Sequence, residues 1–219
     1  MPLLVLWLGY GERLATGTSM AAIIVIALFA VVLQAVAYGN VDAGKAAVVA
    51  VPGVLGAVAG TALQQRLPER AIALFFAALL FAVAIELIAD PLSEGGERII
   101  AAAVALGFAG GMVGGLLGVG GGILFVPALA LFLQEPQVEA EAASLLAIVP
   151  VALVATWRQA GYGNVRLGEG LVIGLLSPVG VVIGVIVANA VSESVLQAAF
   201  AALAVFIAVG LARRGLRRN

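Results

Sequence analysis

The chain has 219 residues; 63% are apolar and 11% charged, with 11 Lys+Arg against 12 Asp+Glu and a mean hydropathy of +1.20. Soluble domains carry about 25% charged residues, so a water-soluble enzyme and a disordered chain are excluded, and a near-neutral chain offers no basic surface to nucleic acid. Cysteine and histidine are absent, which removes disulfides, Cys/His zinc sites, thiol nucleophiles and histidine acid–base chemistry. An integral membrane protein with several helices is left.

A membrane helix needs about 20 mostly apolar residues, so the charge-free runs count the spans. Met1–Tyr10 is apolar but too short to cross, and it lacks the basic leader and cleavage site of a signal peptide; it is expected to be a half-helix. Arg13 to Asp42 encloses 28 uncharged residues, Lys45 to Arg66 20, and Arg70 to Glu86 15, with the apolar run continuing to Asp90. Arg98 to Glu135 encloses 36, Glu141 to Arg158 16, Glu169 to Glu193 23 and Glu193 to Arg213 19. Six of these runs fit one tilted helix each. Period-two alternation is absent, which argues against a membrane barrel.

The 36-residue run is different. As one rod it would be about 54 Å long, and two full spans with a turn need more than about 40 residues. The spacing predicts a span, a break at Gly118-Val119-Gly120-Gly121-Gly122, and a half-helix led by Pro127. Unwound backbone at membrane depth is tolerated only where protein or a water-filled cavity surrounds it, so the break marks a candidate polar site.

The chain also repeats itself. Tyr38-Gly39-Asn40-Val41 recurs as Tyr162-Gly163-Asn164-Val165, and at that offset of 124 residues 38–87 hold 16 identities in 50 positions, including Gly56 with Gly180 and Gly60 with Gly184. At an offset of 125, Pro2 meets Pro127 and Ser19 meets Ser144. The expected division is a first repeat over 1–90, a connecting loop over 91–97 and a second repeat over 98–219. Each repeat holds a half-helix and three spans, and internal repeats of this size mark transporters whose site lies where the halves meet. Residues 98–126 have no counterpart before Pro2. A natural start about 30 residues further upstream is therefore expected, the alternative being a shortened, non-transporting or partner-dependent protein.

The run Gly107-Phe108-Ala109-Gly110-Gly111-Met112-Val113-Gly114-Gly115-Leu116-Leu117-Gly118-Val119-Gly120-Gly121-Gly122, followed by Val126-Pro127, resembles the signature of the sulfite exporter TauE/SafE family. The Gly-Asn-Val turn, once per repeat, is also typical of that family, and the resemblance covers essentially the whole chain except the missing first glycine signature. It implies a multi-pass inner-membrane protein that exports sulfite, organosulfonates or related small anions.

Each candidate residue has a functional and a structural reading. Gly107, Gly111 and Gly115 are spaced to let helices approach closely, a structural role shared by Pro127. Gly118, Gly120, Gly121 and Gly122 end one helix and start another, whose first turn offers unpaired N–H groups to an anion; the alternative is a kink. Ser19 and Ser144 are either paired hydroxyl donors to that anion, or N-caps or bonded to their own backbone. Gln34, Gln159, Asn40 and Asn164 lie near the Gly-Asn-Val turns; Gln34, Asn40 and Asn164 are candidate substrate-binding residues, the alternative being that the Asn side chains hold tight turns. Arg158 is either a cationic gate or a snorkelling side chain, and Glu86 an interfacial acid or a coupling carboxylate. No catalytic residue, metal or organic cofactor is implied. A passive anion channel would use the same binding chemistry, and a membrane enzyme lacks its acids, bases and ligands at mid-depth. The expected partners are a small anion and the lipid bilayer, with homo-oligomer formation left open.

Arg213, Arg214, Arg217 and Arg218 place the C-terminus in the cytoplasm. Counting back puts Arg158 and Arg166 inside and the Glu135/Glu139 loop outside. Whether the repeats are parallel or inverted depends on whether residues 98–133 cross once or return as a hairpin.

Overall fold

A computed structural model describes residues 9–66, 68, 96–192, 194–196, 198–202, 205–206 and 209. The expected half-helix before Tyr10, the third span of the first repeat with Glu86, and the C-terminal arginines lie largely or wholly outside them. Helices α1 (Glu12–Ala37) and α2 (Ala43–Gln64) are followed by α3 (Gly96–Leu117) and α4 (Gly122–Pro127), which continues as a π-helical turn over Ala128–Phe132. Then come α5 (Gln137–Gly161), α6 (Leu167–Leu176) and α7 (Pro178–Ala190). No strand occurs among the described residues. By length and composition α1, α2, α3 and α5 can each cross a bilayer, and α6 with α7 form a fifth crossing bent by 47°. The fold is that of an all-α polytopic membrane protein.

The helix ends follow from the charges that bound each run. Asp42 opens α2, its carboxylate accepting from the amides of Gly44 and Lys45, an N-cap of the usual kind. Three expectations are corrected. The 169–193 run is not one straight helix: it breaks at Ser177, because Pro178 has no amide to donate back into the preceding turn. The half-helix starts at Gly122, so Pro127 lies inside it, and the missing amide at 127 is followed by the wider turn. Residues 96 and 97 belong to α3 rather than to a loop.

Helices α2 and α3 run parallel with their backbones in contact. A methyl group placed on Gly107 would lie 2.8 Å from the carbonyl oxygen of Val49, one on Gly111 1.8 Å from that of Gly53, and one on Gly115 2.7 Å from that of Ala57. The reverse holds for Gly56 against Phe108 and Gly60 against Met112, both at 2.0 Å. Small residues at four-residue spacing are what such an approach requires. Beyond this seam the core is lined by alanines together with Met20, Val49, Leu124, Phe125, Leu129, Ile148 and Val151.

The chain directions are set by contacts at the helix ends. Lys45, at the start of α2, pairs with Glu135 just before α5, and Gln64, at the end of α2, bonds Gln159 near the end of α5. Helices α2 and α5 are therefore parallel. Helix α1 is parallel to α6 and α7: Gly170 abuts Thr18 and Ala21, Gly174 abuts Ala22 and Val25, and Asn189 bonds Gln34. A methyl on Gly17, at the start of α1, would lie 2.1 Å from the Asn164 carbonyl just after α5, so α1 and α5 are antiparallel. Helix α4 turns back along α3, with Phe125 against Gly110. Residues 96–132 thus return as a hairpin, and α1–α2 run opposite in sense to α5–α7.

Candidate functional site

The break after α3 owes its shape to backbone conformations that glycine adopts readily. Gly118, Gly120 and Gly121 have φ of 68°, 79° and 82°, the left-handed region that side chains with a Cβ rarely occupy. Gly118, Gly120 and Gly121 are buried, while Val119 between them is 39% exposed. A methyl on Gly120 would lie 3.3 Å from Cγ2 of both Ile23 and Ile148. These two residues stand 125 positions apart, and each is the twelfth residue of its helix. The break therefore sits near mid-length of two antiparallel helices that correspond by sequence, on the line where the halves meet.

Side chains hold the carbonyls at the end of α3. The last carbonyls of a helix and the first amides of the next lack helical partners. Here the Leu116 carbonyl accepts from Gln64 Nε2 at 2.6 Å and the Gly118 carbonyl accepts from Ser19 Oγ at 2.7 Å. On the other side, the amides of Leu124 and Phe125 both turn back to the Gly121 carbonyl. The amides of Gly122 and Ile123 open the new helix directly after the turn over Gly120 and Gly121. The side chains nearest the four glycines of the break, Ser19, Ile23, Phe125 and Ile148, carry no charge. Positive potential at the break thus comes from the start of the Gly122–Phe132 helical run.

Ser19 and Ser144 are each the eighth residue of their helices, not N-caps. Both bond to their own helix, Ser19 to the Thr16 carbonyl at 3.0 Å and Ser144 to that of Glu141 at 2.7 Å. Only Ser19 also reaches the break; Ser144 lies one turn from Ile148. Gln34, Asn40, Arg158 and Asn164 are placed towards the helix ends rather than at the glycines. Arg158 donates from Nε to Thr61 Oγ1 at 3.0 Å and from a terminal nitrogen to the Tyr162 hydroxyl at 2.8 Å. Thr156 Oγ1, one turn of helix from Gln159, is buried without a partner.

The amides form two clusters. At one end Asn164 donates to Gln159, Gln159 to Gln64, and Gln64 to the Leu116 carbonyl. At the other end Asn40 donates to Asn189 at 3.2 Å, and Asn189 to Gln34 at 3.1 Å. Gln64 and Asn189 escape a search for sequence identities because one is Gln and the other Asn. Their offset of 125, the same as that of Gln34 and Gln159, is the signal that links them.

The helix ends carry different charges at the two faces. Arg13, Arg66, Arg158 and Arg166 lie at one, with Glu12 and Glu169; Asp42, Lys45, Glu97, Arg98, Glu135 and Glu139 lie at the other. Arg166 pairs with Glu169 at 3.0 Å and stacks over Tyr10, whose hydroxyl also bonds Glu169.

No curated protein and no solved structure matches the chain. The family model described as sulfite exporter TauE/SafE matches residues 1–87 and 103–219. With apolar helices, a glycine-built break between antiparallel α1 and α5 and this match over nearly its full length, the chain belongs to the sulfite exporter TauE/SafE family of membrane transporters.

Proposed function

We propose that the protein exports a small oxidised-sulfur anion, sulfite or an organosulfonate, by alternating access around Gly118–Gly122. The observation that carries this reading is the glycine-built break at mid-length of α1 and α5, with Gly120 against Ile23 and Ile148. Gln64 and Ser19 occupy carbonyls at the end of α3, and the next helix starts directly after the turn at Gly120 and Gly121. A helix start of this kind attracts anions without a charged side chain, and in transporters built from inverted repeats the substrate sits at such a junction near the midplane. Gly120, Gly121 and Gly122 form the substrate contact, with Ser19 holding the Gly118 carbonyl beside it.

Arg158 stands nearer the arginine-rich face, and its role is to draw anions toward the break from that side. The excess of Arg there supports a cytoplasmic assignment. The chain leaves α7 at the opposite face, so one further crossing after Ala190 returns its basic C-terminus to the cytoplasm.

The test is uptake into proteoliposomes of sulfite, sulfate, thiosulfate and organosulfonates, each with and without an opposing gradient. Saturable sulfite or sulfonate flux against a gradient is the expected result. Flux equal to that of protein-free vesicles overturns the reading, and flux that only follows the gradient replaces the exporter with a channel.

A further inference from the structure

We infer that the two amide clusters are the two gates of the transport cycle, and that Gln64 and Asn189 are positioning residues within them. The inference rests on the alternating-access reading above. Each cluster joins the first helix of one half to the second helix of the other. Gln159 of α5 meets Gln64 of α2, and Gln34 of α1 meets Asn189 of α7. Opening the junction at either end must separate the pair of helices that the cluster at that end connects.

Depth supports the same assignment. Gln34 follows Ile23 by 11 residues and Gln159 follows Ile148 by 11, so along antiparallel helices these two glutamines lie about 16 Å from the isoleucines that flank Gly120, in opposite directions, while Gln64 reaches the Leu116 carbonyl. Gln34, Gln64 and Gln159 are buried, with 2%, 7% and 0% exposure. Membrane helices pack adequately through Ala and Gly alone, and a buried amide is costly unless it is bonded. Paired neutral amides suit a gate. They hold while closed, exchange partners with water when opened, and carry no charge that would trap a passing anion. The Gln64 cluster has a second consequence: by holding the Leu116 carbonyl it ties closure of that end to the position of the break.

The test uses the natural absence of cysteine. Val119→Cys places one thiol at the exposed position of the break, and a membrane-impermeant maleimide is applied to each face of vesicles of known orientation. Loss of one net hydrogen bond shifts a two-state balance about fivefold. Gln64→Met is expected to raise labelling from the arginine-rich face about fivefold and to lower it from the other. Asn189→Leu, which removes the bonds to both Gln34 and Asn40, is expected to do the reverse by at least as much. A merely structural role would change both faces alike, so equal shifts, shifts of the same sense in both variants, or no shift overturn the inference. The paired variants Gln64→Met/Gln159→Met and Gln34→Met/Asn189→Leu remove each cluster without leaving a lone amide. They are expected to repeat the opposite shifts, and failure of both to fold would mark the clusters as braces and also overturn it. Labelling needs no substrate. Opposite shifts without sulfite flux overturn the substrate reading alone, and sulfite flux without shifts overturns the gates alone.

Discussion

Gly56 on α2 and Gly180 on α7 occupy equivalent sequence positions, yet the same substitution should have opposite effects at the two. A methyl group at Gly56 would lie 2.0 Å from the Phe108 carbonyl oxygen and 2.7 Å from the Met112 nitrogen. Close carbon–oxygen contacts are about 3.3 Å, so α2 and α3 would have to part by about 1.3 Å at the centre of their seam. Forcing extra volume into a packed interior costs about 1–3 kcal/mol. At Gly180 no described atom lies within 4 Å of the added carbon, and replacing a helical glycine by alanine gains up to about 1 kcal/mol. Gly56→Ala and Gly180→Ala should therefore differ by about 2–4 kcal/mol, roughly 10 °C in Tm for a chain of this size. Thermal unfolding of the purified protein in detergent, followed by tryptophan fluorescence, measures the difference. Equal Tm values, or a Gly180→Ala protein that falls as far as Gly56→Ala, would refute the reasoning.

Ser19→Ala leaves the Gly118 carbonyl without its side-chain donor and should cost about 1–3 kcal/mol together with a loss of flux. Ser144→Ala, which removes only a bond within its own helix, should be near neutral by the same unfolding assay. Arg158→Gln should weaken anion transport chiefly at low ionic strength, where screening is least; flux measured across a salt series checks this, and a salt-independent effect would return Arg158 to an anchoring role. Asp42 lies outside the spans, and its bond from the Lys45 amide holds its pKa below the ordinary carboxylate value. A depressed folded-state pKa stabilises above the unfolded value and ceases to do so as pH falls through the folded one. Asp42→Ala should therefore lower Tm at neutral pH, and the gap to the parent protein should close on acidification below the usual carboxylate range.

Much of the helical layout was legible because charges are scarce and each one bounds a run: Arg13 and Asp42 bracket α1, and Glu141 and Arg158 fall within α5 near its ends. The break was legible because Gly120, Gly121 and Gly122 are consecutive. Charge-free length does not reveal the bend at Ser177, because hydropathy alone does not weigh the amide that Pro178 lacks. Chain direction was out of reach for a different reason. It depends on contacts between distant segments, Gly17 with Asn164 and Lys45 with Glu135. Ser19 and Ser144 looked equivalent in sequence, but the hairpin supplies a neighbouring carbonyl to only one of them. Gln64 and Asn189 went unread because pairing by position, not identity, connects them.

The glycine seam between α2 and α3 has a mechanical consequence. Two cylinders whose backbones touch along several turns, with carbonyls lodged where side chains would be, cannot slide past each other without collision. They act as one stiff strut, so any motion of the transport cycle must be hinged at other helix contacts, such as that of α2 with α5 or of α1 with α7.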